Sequence, residues 1–201
     1  MPSDHYYTQN PQSAHKAAQV NVTYRGHALR FETDSGVFSR TELDRGTQVL
    51  LDSLPDSLSG RVLDMGCGWG VMGVAVGVHF PVSVVMTDIN QRACDLARRN
   101  AQANGVPARV LQSDGYAALQ GEAFDWILQN PPIRAGKAVI YQMFADGARS
   151  LQPGGSLWLV IRKQQGAPSA IQYLSTLFAQ VETVEKKSGF WVIRCTEPLS
   201  A

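Results

Sequence analysis

From Arg61 to the end, the chain alternates short β-branched runs with helix-length segments, and no other feature constrains its fold as tightly. Arg61-Val62-Leu63-Asp64-Met65, Val82 to Thr87, Ala108 to Gln112, Ala123 to Leu128 and Ser156 to Arg162 read as strands. Between and after them come helical segments. One runs from the glycine turn Gly66 to Gly70 through about Val78. Others cover Asn90 to Asn104, residues 138–151, and Pro168 to Ala179. Gly105 suits the C′ position of the second of these. In the third, Val139, Met143, Ala148 and Leu151 repeat at helical spacing. Val181 to Lys186 and Phe190 to Cys195 close the chain as a hairpin turning at Ser188-Gly189. Such alternation specifies an α/β fold, a mostly parallel sheet with helices on both faces. The terminal hairpin puts an antiparallel strand into that sheet.

Residues 1–19 are polar and aperiodic and read as a flexible arm, with 20–201 forming one domain. Its first part, 20–60, holds a hairpin around Arg25-Gly26-His27 and a turn-rich loop from Asp34 to Ser39. A helix follows from about Glu42 to Ser53. Thr41 or Ser39 is its expected cap, and Val49, Leu50 and Leu54 its core face. With 44% hydrophobic and 17% charged residues the chain is globular, and a net charge of +1 advertises no general grip on nucleic acid. Three scattered cysteines fit a reducing compartment, and four histidines without ligand spacing speak against a metal. No signal peptide or membrane span is evident, so the expected location is the cytoplasm.

In open sheets of this kind a ligand lies beyond the carboxyl ends of the strands, at the point where strand order reverses. Asp64, Asp88, Asp114 and Asn130 end the first four strands after residue 60 and should converge there. Asp64 precedes the turn Gly66-Cys67-Gly68-Trp69-Gly70, and Asp88 lies twenty residues beyond Gly68, where a carboxylate can hold both hydroxyls of a ribose. Gly68-x-Gly70-x-x-Gly73 also fits a dinucleotide fingerprint. However, an acid just before the glycines repels a pyrophosphate and tolerates an ammonium. Asp114, followed by Gly115, suits an adenine amino group. The three acids together describe S-adenosylmethionine better than NAD. The corner Asn130-Pro131-Pro132-Ile133 is stiff and rich in acceptors, because neither proline has an N–H and the first holds Asn130 extended. That polarity suits the gripping of an amino group.

These residues resemble the motif series of class I S-adenosylmethionine-dependent methyltransferases, with their Rossmann-like fold and seven-stranded sheet. Phe31-Glu32-Thr33, Gly36-Val37-Phe38-Ser39, Asp44-x-Gly46-Thr47 and Asn130 to Lys137 narrow this to the small methyltransferase-domain family. That family is related to the small-subunit ribosomal RNA guanine-N2 methyltransferases. The resemblance implies that Gly36, Val37, Asp44, Gly46 and Thr47 cover the methionine end of the cofactor. It implies that Asp64, Gly66, Cys67, Gly68, Gly70, Asp88, Ile89, Asp114 and Gly115 line the rest, with Asn130. Asn130, Pro131, Pro132 and Ile133 then form the catalytic corner. It orients a flat exocyclic amine for in-line transfer, without an evident general base. Arg134, Lys137 and Arg162, extended by Lys163, are the expected contacts to RNA, with ribosomal RNA or a ribosomal subunit as partner and a monomer or homodimer as the working form. Cys67, without a base partner, reads as a packing residue and not as a nucleophile. The larger ribosomal enzymes carry a second, degenerate domain for which this chain has no room. Protein glutamine, DNA adenine and small-molecule methylation stay open, as does a non-catalytic nucleoside- or RNA-binding module.

Overall fold

The computed structural model describes residues 16–37, 39 and 42–200. It opens on an antiparallel hairpin of β1 (Ala18–Tyr24) and β2 (His27–Thr33). Alternate residues are buried along both strands, among them Val20, Val22, Leu29 and Phe31, as a one-faced hairpin demands. After α1 (Arg45–Asp52) the chain enters its main layer: β3 (Gly60–Met65), α2 (Val71–His79), β4 (Val82–Asp88), α3 (Gln91–Ala103), β5 (Ala108–Gln112) and β6 (Phe124–Gln129). Then follow α4 (Lys137–Arg149), β7 (Leu151–Arg162), α5 (Ala167–Leu174), β8 (Phe178–Lys187) and β9 (Phe190–Pro198). Seven strands pair in the order β5-β4-β3-β6-β7-β9-β8, parallel except for β9, which runs antiparallel to both of its neighbours.

Two apolar layers sandwich the sheet. The hairpin, α1, α2 and α3 bury one face around Phe31, Leu50, Trp69 and Met86, and α4 and α5 bury the other around Phe124, Phe144, Ile127 and Leu174. Burying each large side chain contributes about 1.5–3 kcal/mol. The order reverses at β3, which has β4 on one side and β6 on the other, so the crevice opens above the ends of these strands.

The hairpin is fastened to α3 by two asparagines one turn apart. The Asn100 side chain accepts from Glu32 N–H at 2.7 Å and donates to Glu32 C=O at 2.9 Å and Trp69 C=O at 2.8 Å. Asn104 treats Arg30 the same way, at 3.1 and 2.8 Å. Four helical residues rise about 6 Å, close to the roughly 6.6 Å of two strand residues. The amides therefore act as a substitute neighbouring strand for the free edge of β2.

Several boundaries differ from the sequence reading. α1 begins at Arg45 and is capped by Asp44, whose carboxylate accepts from Thr47 N–H at 2.9 Å. Thr41 lies outside the described residues, and Ser39 Oγ donates to the Glu42 carbonyl. The proposed arm falls mostly outside them too, and Phe38 does as well. The last helix is shorter than expected, ending at Leu174, and β7 starts early, at Leu151. Val139 is 47% exposed, since Ile140, Met143, Phe144 and Ala148 form the core face of α4.

Candidate active site

A cleft of about 1210 Å³ lies over the carboxyl ends of β3, β4, β5 and β6. On one side the glycine turn leaves β3. Gly66 N–H and Cys67 N–H both donate to the Thr87 carbonyl, which binds the turn to β4. Gly66 and Gly68 take φ of 73° and 55°, and a Cβ at either would meet no atom of the described residues within 4 Å. The backbone is thus open to a ligand on its cleft side.

Asp88 stands at the end of β4 with one oxygen accepting from Gly68 N–H at 2.8 Å and the other from Asn90 N–H at 2.9 Å. A carboxylate has about four lone-pair positions, so Asp88 keeps acceptor capacity for a further donor such as a ribose hydroxyl. Burial pushes this carboxyl up to about 6, although the backbone donors of Asn90, Gly68 and Ile89 pull it down. Ile89, Ser113, Asp114 and Gly115 continue the wall. Ser113 is fixed by donating its hydroxyl to Gly115 C=O and accepting from Ala118 N–H, which leaves Asp114 exposed at the rim.

Asp64 is placed differently from its neighbours in the motif. It is fully buried and does not line the cleft. One carboxylate oxygen accepts from Gly73 N–H at 2.8 Å, and the other has no partner among the described residues. Gly70, the residue before α2, has no side chain to cap it, so Asp64 satisfies a first-turn N–H of that helix from the adjoining strand. Burial raises its carboxyl to about 7. Cys67 lines the cleft, but burial pushes its thiol well above the usual range, so it holds its proton and is a poor nucleophile.

The opposite wall is the corner after β6. Gln129 points to the α4 face and donates to the Tyr116 hydroxyl at 2.9 Å, which turns the next side chain, Asn130, toward α1. There Asn130 Nδ2 donates to Asp44 Oδ2 and to Thr47 Oγ1, both at 2.9 Å. No donor among the described residues reaches its Oδ1. The Pro132 carbonyl closes a short 3-10 turn by accepting from Ala135 N–H, while no N–H among the described residues donates to the Pro131 carbonyl. One amide oxygen and one carbonyl therefore stand unmet beside the cleft.

Of the residues singled out from sequence, the cleft gathers Val37, Asp44, Thr47, Gly66, Cys67, Gly68, Asp88, Ile89, Asp114, Gly115, Asn130, Pro131, Pro132, Ile133, Arg134 and Arg162. Gly36, Gly46, Asp64, Gly70 and Lys137 are not among its lining. Gly36 instead fixes the loop, its carbonyl accepting from Asn90 Nδ2 at 2.8 Å. Gly46 lets α1 approach β9, since a Cβ there would lie 2.8 Å from Phe190 Cε1. Sequence reasoning missed Phe190, Met72, Ser113, Val139 and Gln142, which also line the cleft. Arg162 lies over the Phe190 ring, 4.7 Å from its centroid, and carries a cation to the mouth.

Residues 28–194 match the family described as methyltransferase small domain. A Bacillus subtilis protein named uncharacterized protein YbxB is 40% identical over 196 residues, covering 96% of this chain and 98% of its own. Ribosomal RNA small subunit methyltransferase C of Hahella chejuensis is 43% identical over 79% of this chain, but only 46% of its own length is matched. In structure, the T. thermophilus 16S rRNA N2 methyltransferase RsmC, solved in complex with AdoMet and guanosine, superposes with a TM-score of 0.82 at 26% identity. That match covers 93% of this chain and 52% of the other. The chain thus spans about half the length of the ribosomal RNA methyltransferases it matches. With its doubly covered sheet, reversed strand order and strand-end cleft, it belongs to the methyltransferase small domain family.

Proposed function

We propose that this chain is an S-adenosylmethionine-dependent N-methyltransferase acting on an exocyclic base amine of RNA, namely guanine N2 of 16S ribosomal RNA. The observation that carries the reading is the pair of unmet acceptors, Asn130 Oδ1 and the Pro131 carbonyl, set across the cleft from Asp88. The names of the relatives support the choice of ribosomal RNA, and likeness to the T. thermophilus N2 methyltransferase supports the choice of N2.

The donor set fits the cofactor. Asp88 has acceptor capacity left for a ribose hydroxyl, Asp114 has it for an adenine amine, and the backbone at Gly66 and Gly68 is open to close approach. Asp64 fits a different role from the one its motif suggests, since it holds α2 in place and does not face the cleft. When bound, the sulfonium supplies an electrophilic methyl and a good leaving group.

Asn130 Oδ1 and the Pro131 carbonyl accept the two hydrogens of a planar amine and so fix its plane and direction. Alignment of this kind is worth up to about 7–11 kcal/mol. Ile133 gives the ring an apolar neighbour, and Arg134 and Arg162 at the mouth match backbone phosphates. A paired base has to leave its stack first, at a cost of about a few kcal/mol.

The test is transfer of tritiated methyl groups to naked 16S RNA, assembled small subunits, DNA and protein, followed by mass analysis of the labelled nucleosides. N2-methylguanosine in RNA is expected. Label confined to protein or DNA would overturn the reading. Asn130→Ala is expected to bind S-adenosylhomocysteine normally and to keep only a slow residual transfer.

A further inference from the structure

Asn130 can serve as an acceptor only if its oxygen, and not its nitrogen, faces the cleft. A side-chain amide is nearly symmetric in shape, so its neighbours decide. Here both neighbours of Nδ2 are acceptors. Asp44 Oδ2 belongs to a carboxylate and has no proton to give. Thr47 Oγ1 turns its own proton toward that same Asp44 oxygen at 3.4 Å, which leaves a lone pair for Asn130. A flipped amide would set its oxygen against the Asp44 carboxylate oxygen and lose that hydrogen bond, and it could keep Thr47 only by pulling the hydroxyl proton away from Asp44.

The clamp is itself held from two further directions. Asp44 Oδ2 accepts from Thr47 N–H at 2.9 Å as the cap of α1, so the oxygen that grips Asn130 is fixed by the helix start. The first turn of α1 also lies against β9, with room at Gly46 for no more than hydrogen beside the Phe190 ring.

We propose that Asp44 and Thr47 are positioning residues that act through Asn130, locking its oxygen toward the incoming group. The site therefore selects a nitrogen that carries hydrogens and disfavours a carbonyl or a bare ring nitrogen at the same place. The inference rests on the methyltransferase reading above, and it gives Asp44 and Thr47 a task distinct from contact with the methionine end of the cofactor. Sites built to pair a substrate N–H discriminate strongly against groups that leave their buried polar atoms unmatched.

Two measurements decide it. In the first, Thr47→Val, which keeps the side-chain volume, is expected to lower kcat about 10–100-fold, the scale of a small misplacement of a reacting group. Its affinity for S-adenosylhomocysteine should stay unchanged by calorimetry, and Thr47→Ser should restore most of the rate. Introduced into Asn130→Ala, Thr47→Val should slow the reaction no further, because the residue it acts through is gone. A rise in the Kd of S-adenosylhomocysteine matching the fall in kcat would overturn the proposal, as would a full additional loss in the Asn130→Ala background.

The second measurement needs no turnover. In ligand-free protein the Asn130 side-chain N–H protons should be protected from solvent exchange, and Asp44→Ala combined with Thr47→Val should abolish that protection. Rapid exchange in the wild type would sink the clamp. If no RNA is methylated by the wild type, the substrate reading fails, and the exchange experiment still decides the clamp.

Discussion

Acidification should loosen the cofactor site through Asp88. Its carboxyl sits at about 6 in the ligand-free fold, against an ordinary value of 3.8. A ribose held by two hydroxyl donors needs the carboxylate, so apparent affinity follows the ionised fraction. One unit above the midpoint about nine in ten molecules are ionised, and one unit below it about one in ten. Binding of S-adenosylhomocysteine should therefore weaken about tenfold between pH 7 and pH 5, or about 1.4 kcal/mol. A carboxyl at its ordinary value would lose less than about a tenth of its affinity over the same interval.

Calorimetry with S-adenosylhomocysteine across that range measures this directly. Asp64 titrates nearby, at about 7, but lies off the cleft, so Asp64→Asn should keep the tenfold change. Asp88→Asn should bind weakly and without the slope. A wild-type affinity flat from pH 7 to pH 5, or a slope that survives Asp88→Asn, would show that this carboxylate does not hold the ligand.

Asp64 should leave its mark on stability instead. Its folded carboxyl is raised to about 7, so the protonated form favours the fold; that contribution is complete below about 3.8 and lost as pH rises through 7. The melting temperature of the ligand-free protein should fall from pH 6 to pH 8, and Asp64→Asn should remove most of that fall; an unchanged slope in the variant refutes the assignment. Gly46→Ala places a Cβ 2.8 Å from the Phe190 ring and 3.0 Å from Asp44 Oδ2, which should cost about 1–3 kcal/mol in urea unfolding. An unshifted midpoint would mean that α1 and β9 are not in close contact. Arg162→Ala should weaken RNA binding and reduce the salt slope of log affinity by about one, with S-adenosylhomocysteine affinity unchanged. An unaltered slope would remove Arg162 from the phosphate contacts.

Much of this arrangement is legible in one dimension because strand–helix alternation carries its own rule for where ligands go. Strand ends alone are enough to put Asp88, Asp114 and Asn130 at the cleft. Asp64 shows where that rule stops. A strand end says which edge of the sheet a residue occupies, but the pleat decides its face, and here the face is covered by the first turn of α2. The missing side-chain cap at Gly70 is the signal that a neighbour has to supply one. Sequence misplaces the start of α1 because Ser39, Thr41 and Asp44 are all competent caps, while the cap itself is Asp44, which accepts from Thr47 N–H and is tied to Asn130, 86 residues away. Val139 fits the helical stripe in sequence, yet the same spacing serves a core and a cleft equally well. Phe190 carries no local sign of its role, since β9 brings it to the site from the far end of the chain.

That strand has a consequence for how the molecule comes into being. β8 precedes β9 in the chain but lies outside it in the sheet, so on emerging from the ribosome β8 has no strand of the sheet to join. β9 must fold back along it and dock against β7 before either is secured. Phe190 and the rest against α1 arrive in that same step, so the cleft receives its last wall only after nearly all of the sheet has formed. A nascent chain that already holds every acid of the motif therefore still lacks the Phe190 side of its cleft until translation has passed β9.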